Sequence, residues 1–238
     1  MADKKIRIVF STGAGVSAES GISTFRDSDG LWENHNVWDV ASADGFARNP
    51  ALIHSFYNGL RHKLVHAQPN EAHRIIAELE NDFDVQVITQ NVDDLHERAG
   101  SHNVLHLHGE LMKLRSIRYP ERIYDLPEGV LDSNVDTVSA DGDPLRPHIV
   151  FFQEDVPNFA PATDIVKTAD ILVIIGTSMQ VYPAAALAQY IRRGTPIYYI
   201  DPNPAEASYT DPRITVIKDI ASSGMRRLRE ILIKDYLN

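Results

Sequence analysis

Residues 6–20 read IRIVFSTGAGVSAES, and this stretch decides the fold because an apolar run leads directly into closely spaced glycines. Ile6 to Phe10 form the apolar run of a β-strand. Gly13-x-Gly15-x-x-Ala18 matches the glycine-rich turn of dinucleotide-binding α/β folds, in its variant with alanine third. Without a Cβ, both glycines permit a tight turn and a close approach of backbone N–H groups to a pyrophosphate. A tight strand-to-helix turn that binds nothing explains the same residues, so the motif alone leaves two interpretations open.

Polar motifs also follow other apolar runs of the chain. Residues 89–94, TQNVDD, follow the run 85–88, and residues 105–111, LHLHGEL, come soon after. The fully apolar run 171–175, which is typical of a central parallel strand, ends in Gly176-Thr177-Ser178. In an open parallel sheet the carboxyl ends of the strands line the ligand crevice, so these motifs are expected to meet there. The predicted fold class is α/β, with a Rossmann-like parallel sheet, helices on both faces and a smaller inserted module.

In order and approximate spacing, the motifs GAGVSAESGISTFR, TQNVDD, HLHGEL and GTS resemble those of the sirtuins, the NAD-dependent protein-lysine deacylases, and most of all the compact bacterial type. The resemblance covers nearly the whole chain, and several motifs in order are far more specific than one. It implies a single catalytic domain over residues 1–238. The Rossmann-like part is expected at about 1–26, 70–112 and 146–238, with smaller modules inserted at about 27–69, a lid loop and helix, and at 113–145.

The resemblance implies NAD as the cofactor and gives the motif residues roles in binding it. Phe25 would shield the reactive sugar carbon, Arg26 would lie near the phosphates and nicotinamide, and Gln90 would bind a ribose hydroxyl. Asp201 and Asn203 follow a strand-like run and suit the adenosine ribose, although a turn explains them too; of the two, Asn203 is preferred. The expected cofactor residues are Gly13, Ala14, Gly15, Ser17, Phe25, Arg26, Gln90, Asn91, Asp93, Gly176, Thr177, Ser178, Asp201, Asn203 and Ile220.

The expected catalytic residues are His108, Asn91 and Asp93. By resemblance His108 is the base for a ribose hydroxyl, and the ordinary pKa of histidine suits that task near neutral pH. Asn91 and Asp93 would order a water and hold the nicotinamide amide. His106 lies two residues from His108, so an extended strand would place both on one face, as a metal pair requires; no third ligand is obvious, and a hydrogen-bonded structural histidine is the alternative.

Residues 146–154 form a strand-like run that resembles the segment on which a sirtuin's substrate peptide lies, where main-chain pairing captures an extended peptide. Gln153 stands where the family usually has glycine, which puts the approach of the peptide backbone in question. Sirtuins that favour acidic acyl groups carry an arginine three residues after a tyrosine; here Leu60 holds that place after Tyr57, and Arg61 follows it. We therefore expect neutral acyl groups to be preferred over succinyl. The expected substrate residues are Tyr57, Arg61, Val150, Phe151, Phe152, Gln153, Glu154, Val181 and Tyr182.

Segments between the motifs are assigned from their periodicity. Residues 27–50, rich in Asp, Asn and small residues, are expected to form a long ordered loop, where lids over ligand crevices are often found. Apolar residues at spacings of three and four predict a helix that starts at Pro50 and ends before Pro69. Four histidines on helix-like segments are expected at the surface: His54, His62, His66 and His73.

The chain has no cysteine, and no histidine lies between Gly109 and Pro147, where most sirtuins hold zinc in a small module. We therefore expect no zinc and no other metal, with the module held by packing of its apolar residues, namely Leu114, Ile117, Tyr119, Ile123, Tyr124 and Leu126. The net charge of −10 argues against nucleic acid as a partner, and no apolar run approaches the ~20 residues of a membrane span. Acylated lysine-bearing proteins and a cytoplasmic location are expected.

The resemblance to sirtuins leaves two other functions open. In an ADP-ribosyltransferase, a protein nucleophile would intercept the same activated sugar. In an NAD-sensing interaction module, the glycine turn and Asn203 would bind the cofactor, while a base at His108 would have no use.

Overall fold

The computed structural model describes residues 5–23, 31–177, 184–204 and 212–237, with nothing said of the side chains of residues 31, 184 and 185. Its strands are β1 (Arg7–Thr12), β2 (Leu31–Trp32), β3 (His35–Asn36), β4 (Asp84–Thr89), β5 (Val104–His106), β6 (Gly109–Ser116), β7 (Ile123–Asp125), β8 (Leu145–Ile149), β9 (Ile171–Ile175), β10 (Ile197–Ile200) and β11 (Ile214–Ile217). Its α-helices are α1 (Val37–Val40), α2 (Ala43–Arg48), α3 (Pro50–Leu64), α4 (Glu71–Glu78), α5 (Leu95–Ala99), α6 (Phe159–Lys167) and α7 (Ala221–Tyr236).

The main sheet has six parallel strands in the order β11-β10-β9-β1-β4-β5. Strand β1 lies inside the sheet, with Phe10 opposite Val173 of β9 and Val87 of β4. Helices α4 and α7 pack on one face of the sheet and α6 on the other. Because both faces are covered, interior strands such as β9 are apolar along their whole length. The predicted α/β class with a Rossmann-like parallel sheet and helices on both faces is confirmed.

The segment that follows β1 is not an α-helix over its described residues. It forms two short 3₁₀ turns, Ala14–Val16 and Ala18–Ser20, and Gly21 ends the second with a φ of +83°. Only short runs of 3₁₀ helix are stable because their hydrogen bonds are poorly aligned. The chain therefore leaves β1 through tight turns, which keeps its backbone close to the end of the sheet.

The expected long loop at 27–50 contains regular structure over its described part. A hairpin of β2 and β3 is followed by α1 and α2, and the prediction of a loop is wrong there. Asn36 and Ser42 cap the two helices at their N-termini, and their side-chain oxygens accept hydrogen bonds from the backbone N–H groups of Trp38 and Gly45 at 2.9 Å each. Helices of four and six residues are too short to show a periodic pattern, so capping residues were the available signal.

A second, antiparallel sheet of three strands in the order β7-β6-β8 forms the smaller module. Leu114 is buried, but Ile117, Tyr119 and Ile123 are each at least 44% exposed, so the expectation that these three pack the module together is wrong. The module is instead held to α3 by polar contacts, described below. The strand predicted over 146–154 ends at Ile149, and residues 150–154 follow as turns with one isolated bridge between Ser42 and Phe152.

Candidate active site

A cleft of about 700 Å³ opens at the carboxyl ends of β1, β4, β9 and β10. Each of these strands places a polar or glycine-rich turn at the same edge of the sheet, where an open α/β fold binds ligands. The predicted site residues that line the cleft are Gly13, Ala14, Gly15, Tyr57, Gln90, Asn91, Asp93, His108, Val150, Phe151, Phe152, Gln153, Glu154, Gly176, Thr177, Asp201, Asn203 and Ile220. Phe25, Arg26, Ser178, Val181 and Tyr182 lie outside the described residues.

The glycines after β1 are packed against the turn after β9. The N–H groups of Gly13 and Gly15 donate to the carbonyl oxygens of Ile175 and Gly176, at 3.0 and 2.8 Å. A Cβ on Gly13 would lie 2.8 Å from the Gly176 oxygen, and one on Gly15 would lie 2.6 Å from the Gly176 Cα. Gly176 itself has a φ of +64°, which favours glycine. These glycines are therefore required to join two turns, and the expectation that the Gly13 and Gly15 N–H groups face a pyrophosphate is wrong.

Ser17 lies behind the cleft and holds two residues that line it. Its hydroxyl donates to Asp93 Oδ2 at 3.0 Å and accepts from Asn91 Nδ2 at 3.1 Å. Asp93 Oδ1 accepts from the Leu95 N–H at 3.2 Å. Burial raises the pKa of Asp93, and the hydrogen bonds from Leu95 and Ser17 oppose this change. Ser17 was expected to touch the cofactor. Since it is fully buried, it instead orients Asn91 and Asp93.

Two histidines lie beneath this group and are fully buried. His73 Nδ1 accepts from the Asn70 N–H at 3.3 Å, so its Nε2–H faces the Ser17 hydroxyl at 3.4 Å. His96 Nε2 lies 3.1 Å from Thr12 Oγ1, and its ring is 4.8 Å from that of His73. Burial lowers the pKa of His73 to about 4. The expected surface position is wrong for His73 and also for His54, whereas His62 and His66 are exposed.

His108 lines the cleft as a neutral imidazole. Its Nδ1–H donates to the Gln90 carbonyl oxygen at 3.1 Å, because a carbonyl can only accept. Burial lowers the pKa of His108, and the hydrogen bond to Gln90 opposes this change. The Nε2 atom is therefore left with a lone pair at neutral pH. A nitrogen in this state, in a cleft beside Asn91 and Asp93, can accept a proton from a bound hydroxyl.

His106 comes two residues earlier and has a different environment. Its Nδ1–H donates to the Asn91 carbonyl oxygen at 2.9 Å, and its Nε2 lies 2.8 Å from Glu97 Oε1. Burial lowers the pKa of His106, but Glu97 and the Asn91 carbonyl outweigh it, so the pKa is raised overall. Both ring nitrogens face acceptors, so His106 is held as an imidazolium. Within the described ranges, no group of three His, Asp or Glu side chains is arranged to hold a metal ion.

The turns after β9 and β10 supply the far end of the cleft. Gln90 Nε2 donates to Thr177 Oγ1 at 3.1 Å, which links the turns after β4 and β9. Asp201 is 3% exposed, and its carboxylate accepts from the Asn203 N–H at 2.8 Å, as expected of an aspartate that stabilises a turn. Asn203 and Ile220 are exposed. The accessible polar side chain at this end is therefore Asn203 rather than Asp201.

The opposite end of the cleft is apolar, and Arg61 is turned away from it. Tyr57 is fully buried and stacks on Phe151 with ring centroids 6.1 Å apart, while Leu60 also lines the cleft. Arg61 is fully buried, and its Nε donates to the Leu111 carbonyl oxygen at 2.7 Å. Arg61 Nη1 donates to Asn58 Oδ1, the Leu131 oxygen and Ser133 Oγ, at 2.9, 3.2 and 3.2 Å. The expectation that Arg61 contacts the substrate is wrong, because the side chain is 0% exposed and does not line the cleft; Arg61 Nη2 is buried without a hydrogen-bond partner.

Residues 151–154 form the rim next to α1 and α2. Phe152 N–H donates to the Ala41 oxygen at 2.8 Å and its oxygen accepts from the Ala43 N–H at 3.1 Å, so this edge is already paired. Gln153 has a φ of +75°. This backbone conformation suits glycine, and it costs a residue with a side chain about 1 kcal/mol. Its exposed amide spans to Asp44, donating to Oδ2 at 2.8 Å and accepting from the Asp44 N–H at 3.2 Å.

Comparison with known proteins agrees with this arrangement. The sequence model of the Sir2 family matches residues 13–183, which include the glycine turn, both strand-end motifs and the turn after β9. The chain belongs to the Sir2 family. Among solved structures, a Sir2 homologue in complex with NAD superposes with a TM-score of 0.83 at 36% identity, covering 96% of this chain and 91% of that one. A mutant Sir2 homologue in complex with ADP-ribose also gives 0.83 at 36% identity, covering 98% and 96%.

Curated members of the Sir2 family match over most of their length. An NAD-dependent protein deacylase of Bacteroides thetaiotaomicron is 49% identical over 229 residues, covering 95% of this chain and 97% of that protein. One of Helicobacter pylori is 47% identical over 227 residues, with the same coverage. No helix among the described residues is long and apolar enough to cross a membrane.

Proposed function

We propose that this Sir2-family chain is an NAD-dependent protein-lysine deacylase, which transfers the acyl group to ADP-ribose and releases nicotinamide. The relatives named NAD-dependent protein deacylase support the reaction class. The observation that carries the proposal is the neutral His108, whose Nε2 is left as an acceptor in the cleft beside Asn91 and Asp93. A cleft that only bound NAD would have no need of a base in that place.

The chemistry of the cleft fits NAD along its length. Small residues join the turns after β1 and β9. The side-chain amides of Gln90 and Asn203 and the hydroxyl of Thr177 line the cleft, where they could bind ribose hydroxyls. Bound NAD supplies the sugar carbon that receives the acyl oxygen and the nicotinamide that leaves. His108 Nε2 would take a proton from a ribose hydroxyl at the neutral pH where its ring is uncharged. Asn91 and Asp93, oriented by Ser17, would hold the nicotinamide amide.

Nicotinamide release, followed with and without an acetylated peptide, tests the proposed reaction. A deacylase releases nicotinamide only when the acyl-lysine is present, and free lysine accumulates at the same rate. Release with ADP-ribose attached to a protein would instead identify an ADP-ribosyltransferase. NAD binding by calorimetry without release under either condition would identify an NAD-sensing module.

We also propose that neutral acyl groups, acetyl or longer, are preferred over succinyl. Leu60 and Tyr57 line the end of the cleft, and Arg61 donates to the backbone of the smaller module. Lys63, the cation among the described lining residues, is paired with Glu33. An anionic acyl group would therefore lose its water without gaining a positive partner.

Matched peptides carrying acetyl-lysine or succinyl-lysine provide the test of acyl preference. Catalytic efficiency should be at least about tenfold higher for acetyl, which corresponds to ~1.4 kcal/mol. Leu60→Arg is the matched variant, because it adds a cation to the wall while Arg61 keeps its contacts, and it should raise efficiency on the succinyl peptide. Equal efficiencies in the unsubstituted protein would contradict the preference.

We propose further that the protein acts in the cytoplasm and needs no zinc. The chain has no cysteine, and the polar contacts from Arg61 and Asn58 to residues 131–133 tie the smaller module to α3. The division into a Rossmann-like part and modules at 27–69 and 113–145 stays part of this proposal. Elemental analysis should find less than one zinc per chain, and a chelator should leave both the unfolding temperature and turnover unchanged. One tightly held zinc, lost together with the fold, would contradict it.

A further inference from the structure

Two histidines of one motif, His106 and His108, have opposite hydrogen-bonding environments. His108 donates from Nδ1 and presents Nε2 to the cleft, whereas both nitrogens of His106 are taken up by the protein. His106 is 7% exposed and does not line the cleft. It therefore cannot act as a second base, and its role must come from the groups that it contacts.

Those contacts connect the catalytic turn to two other elements. The Nδ1–H of His106 donates to the main-chain oxygen of Asn91, whose side chain donates to Ser17. Its Nε2 faces Glu97 of α5, and its own main-chain oxygen accepts from Asn158 Nδ2 at 2.7 Å, at the start of α6. Through the Asn91 backbone, His106 fixes the turn 90–93, whose Gln90 oxygen in turn fixes the tautomer of His108.

We propose that His106 is a positioning residue: as an imidazolium between Glu97 and the Asn91 carbonyl, it holds the turn that carries Asn91, Asp93 and the partner of His108. This inference rests on the proposed deacylase function of the cleft. It extends that function because the charge of His106, which lies behind the cleft, would determine the positions of Asn91, Asp93 and His108 within the cleft.

The charge of His106 matters because a neutral ring cannot satisfy both acceptors. On losing a proton, His106 keeps one N–H, and a nitrogen lone pair then faces either the Asn91 oxygen or the Glu97 carboxylate at less than 3 Å. One of the two contacts becomes repulsive, and the turn 90–93 is no longer held from behind. A displacement of about 1 Å in a catalytic group can cost a factor of about 100 in rate.

Groups on every neighbouring element bear on this charge. Glu97 on α5 and Glu110 on β6 favour the imidazolium. The charge of His106 also favours the ionised form of Asp93 in the turn. It disfavours protonation of His96 on α5 and of His148 on β8, and burial lowers the pKa of both histidines. Burial raises the pKa of Glu97, but the hydrogen bond from His106 outweighs it, so its pKa is lowered overall.

The directions of these shifts define a pH window. Glu97 with its lowered pKa is ionised above its ordinary value of 4.5, and His106 with its raised pKa stays charged above 6.5 and loses its proton only at higher pH. His108, with its lowered pKa, is neutral throughout the range above 6.5. Turnover should therefore rise as His108 becomes neutral and fall on the alkaline side as His106 is discharged. Environments that push two neighbouring pKa values apart are a known way of assigning such roles.

The test compares His106→Gln and Glu97→Gln with the unsubstituted protein over about pH 5 to about pH 10. His106→Gln cannot carry a charge, and it should lower kcat about 10- to 100-fold at neutral pH with little change in the peptide KM. In Glu97→Gln, the side-chain amide can donate to a neutral His106, so the alkaline fall in kcat should weaken or disappear. Glu97 is 40% exposed, which favours folding of this variant.

The matched control is His102→Ala, which removes another histidine–carboxylate pair, with Glu80, from an exposed position. It should leave kcat and the pH profile unchanged. The proposal would be overturned if kcat fell at alkaline pH in the same way in His106→Gln, in Glu97→Gln and in the unsubstituted protein. A lower unfolding temperature for His106→Gln with normal kcat per folded molecule would also overturn it, since a purely structural histidine has that result. If the unsubstituted protein shows no NAD-dependent deacylation, it is the proposed function that fails.

Discussion

The wall of the cleft formed by the main sheet consists of residues next to strand ends, whereas the wall formed by α3 and the smaller module depends on contacts between distant parts of the chain. Gly13, Gln90 and Gly176 each follow a buried parallel strand by one residue. Arg61 of α3, in contrast, donates to Leu111 and Leu131, which lie 50 and 70 residues later. On the sheet side the position along a strand indicates a role, while on the module side the packing partner decides it.

On the sheet side, His108→Ala should have the largest effect on turnover. Loss of a general base typically lowers the rate by a factor of about 100 to 10,000, while NAD affinity should change far less because the glycine turns, Gln90 and Asn203 remain. Turnover of an acetylated peptide and calorimetric NAD binding measure the two separately. Near-normal turnover would contradict the assignment of the base, and a loss of folding would show a structural histidine.

Gly13→Val should disrupt the junction between the turns after β1 and β9. Its Cβ would lie 2.7 Å from Thr177 Cβ and 2.8 Å from the Gly176 oxygen, and both strands would have to move. We expect loss of NAD binding together with a loss of stability of about 1–3 kcal/mol or more. Denaturant unfolding and NAD calorimetry provide the measurement.

The matched control for Gly13→Val is Gly59→Ala in α3. A Cβ on Gly59 meets no atom within 4 Å, and alanine should stabilise the helix by about 1 kcal/mol. If Gly13→Val kept its stability and lost only NAD binding, the glycine would be needed for ligand approach and not for packing.

On the module side, Arg61→Met should reduce stability without changing the acyl preference. The substitution leaves the Leu111 and Leu131 oxygens and Ser133 without their donor, and a broken buried polar group of this kind costs about 3 kcal/mol. Urea unfolding measures the loss, with Arg48→Met as the control because its ion pair with Asp39 is exposed. A shift towards or away from succinyl-lysine would show that Arg61 reaches the substrate after all.

Buried histidines on both sides should make stability depend on pH, and His73 and His54 provide one example from each side. Burial lowers the pKa of His73, beneath the sheet wall, and of His54, which faces Ser133 of the module, to about 4. Between pH 4 and 6.5 the unfolded chain binds protons that the folded protein does not, so stability falls as the pH falls through this range.

Each of these histidines should contribute a fall on the order of 1 kcal/mol between pH 7 and pH 5. His73→Gln and His54→Gln should each reduce the dependence on pH, as followed by urea unfolding at the two pH values. A variant that keeps the full dependence would show that its histidine is already accessible to protons in the folded protein.

The amino-acid sequence by itself determined the parallel sheet and the edge at which the site lies. Runs such as 171–175 are apolar along their whole length because both faces of the strand are covered. The residues that follow these runs line the cleft, so their position along the chain is enough to predict the location of the site. For this reason Gly13, Gln90, Asn91, His108 and Asn203 were placed correctly at the cleft. The period of a strand and the glycines of a turn are local properties of the chain.

Tertiary structure alone decided the orientation and charge of the side chains around that edge. His106 and His108 share one motif, yet Glu97 and the Asn91 oxygen make one an imidazolium, while burial lowers the pKa of the other and its Nδ1–H is held by the Gln90 oxygen. Arg61 lies one residue beyond the place where a substrate contact was considered, and the structure makes it a buried link to the smaller module. Hydrogen-bond partners and burial come from residues tens of positions away, and these long-range contacts set both the pKa and the direction of each side chain.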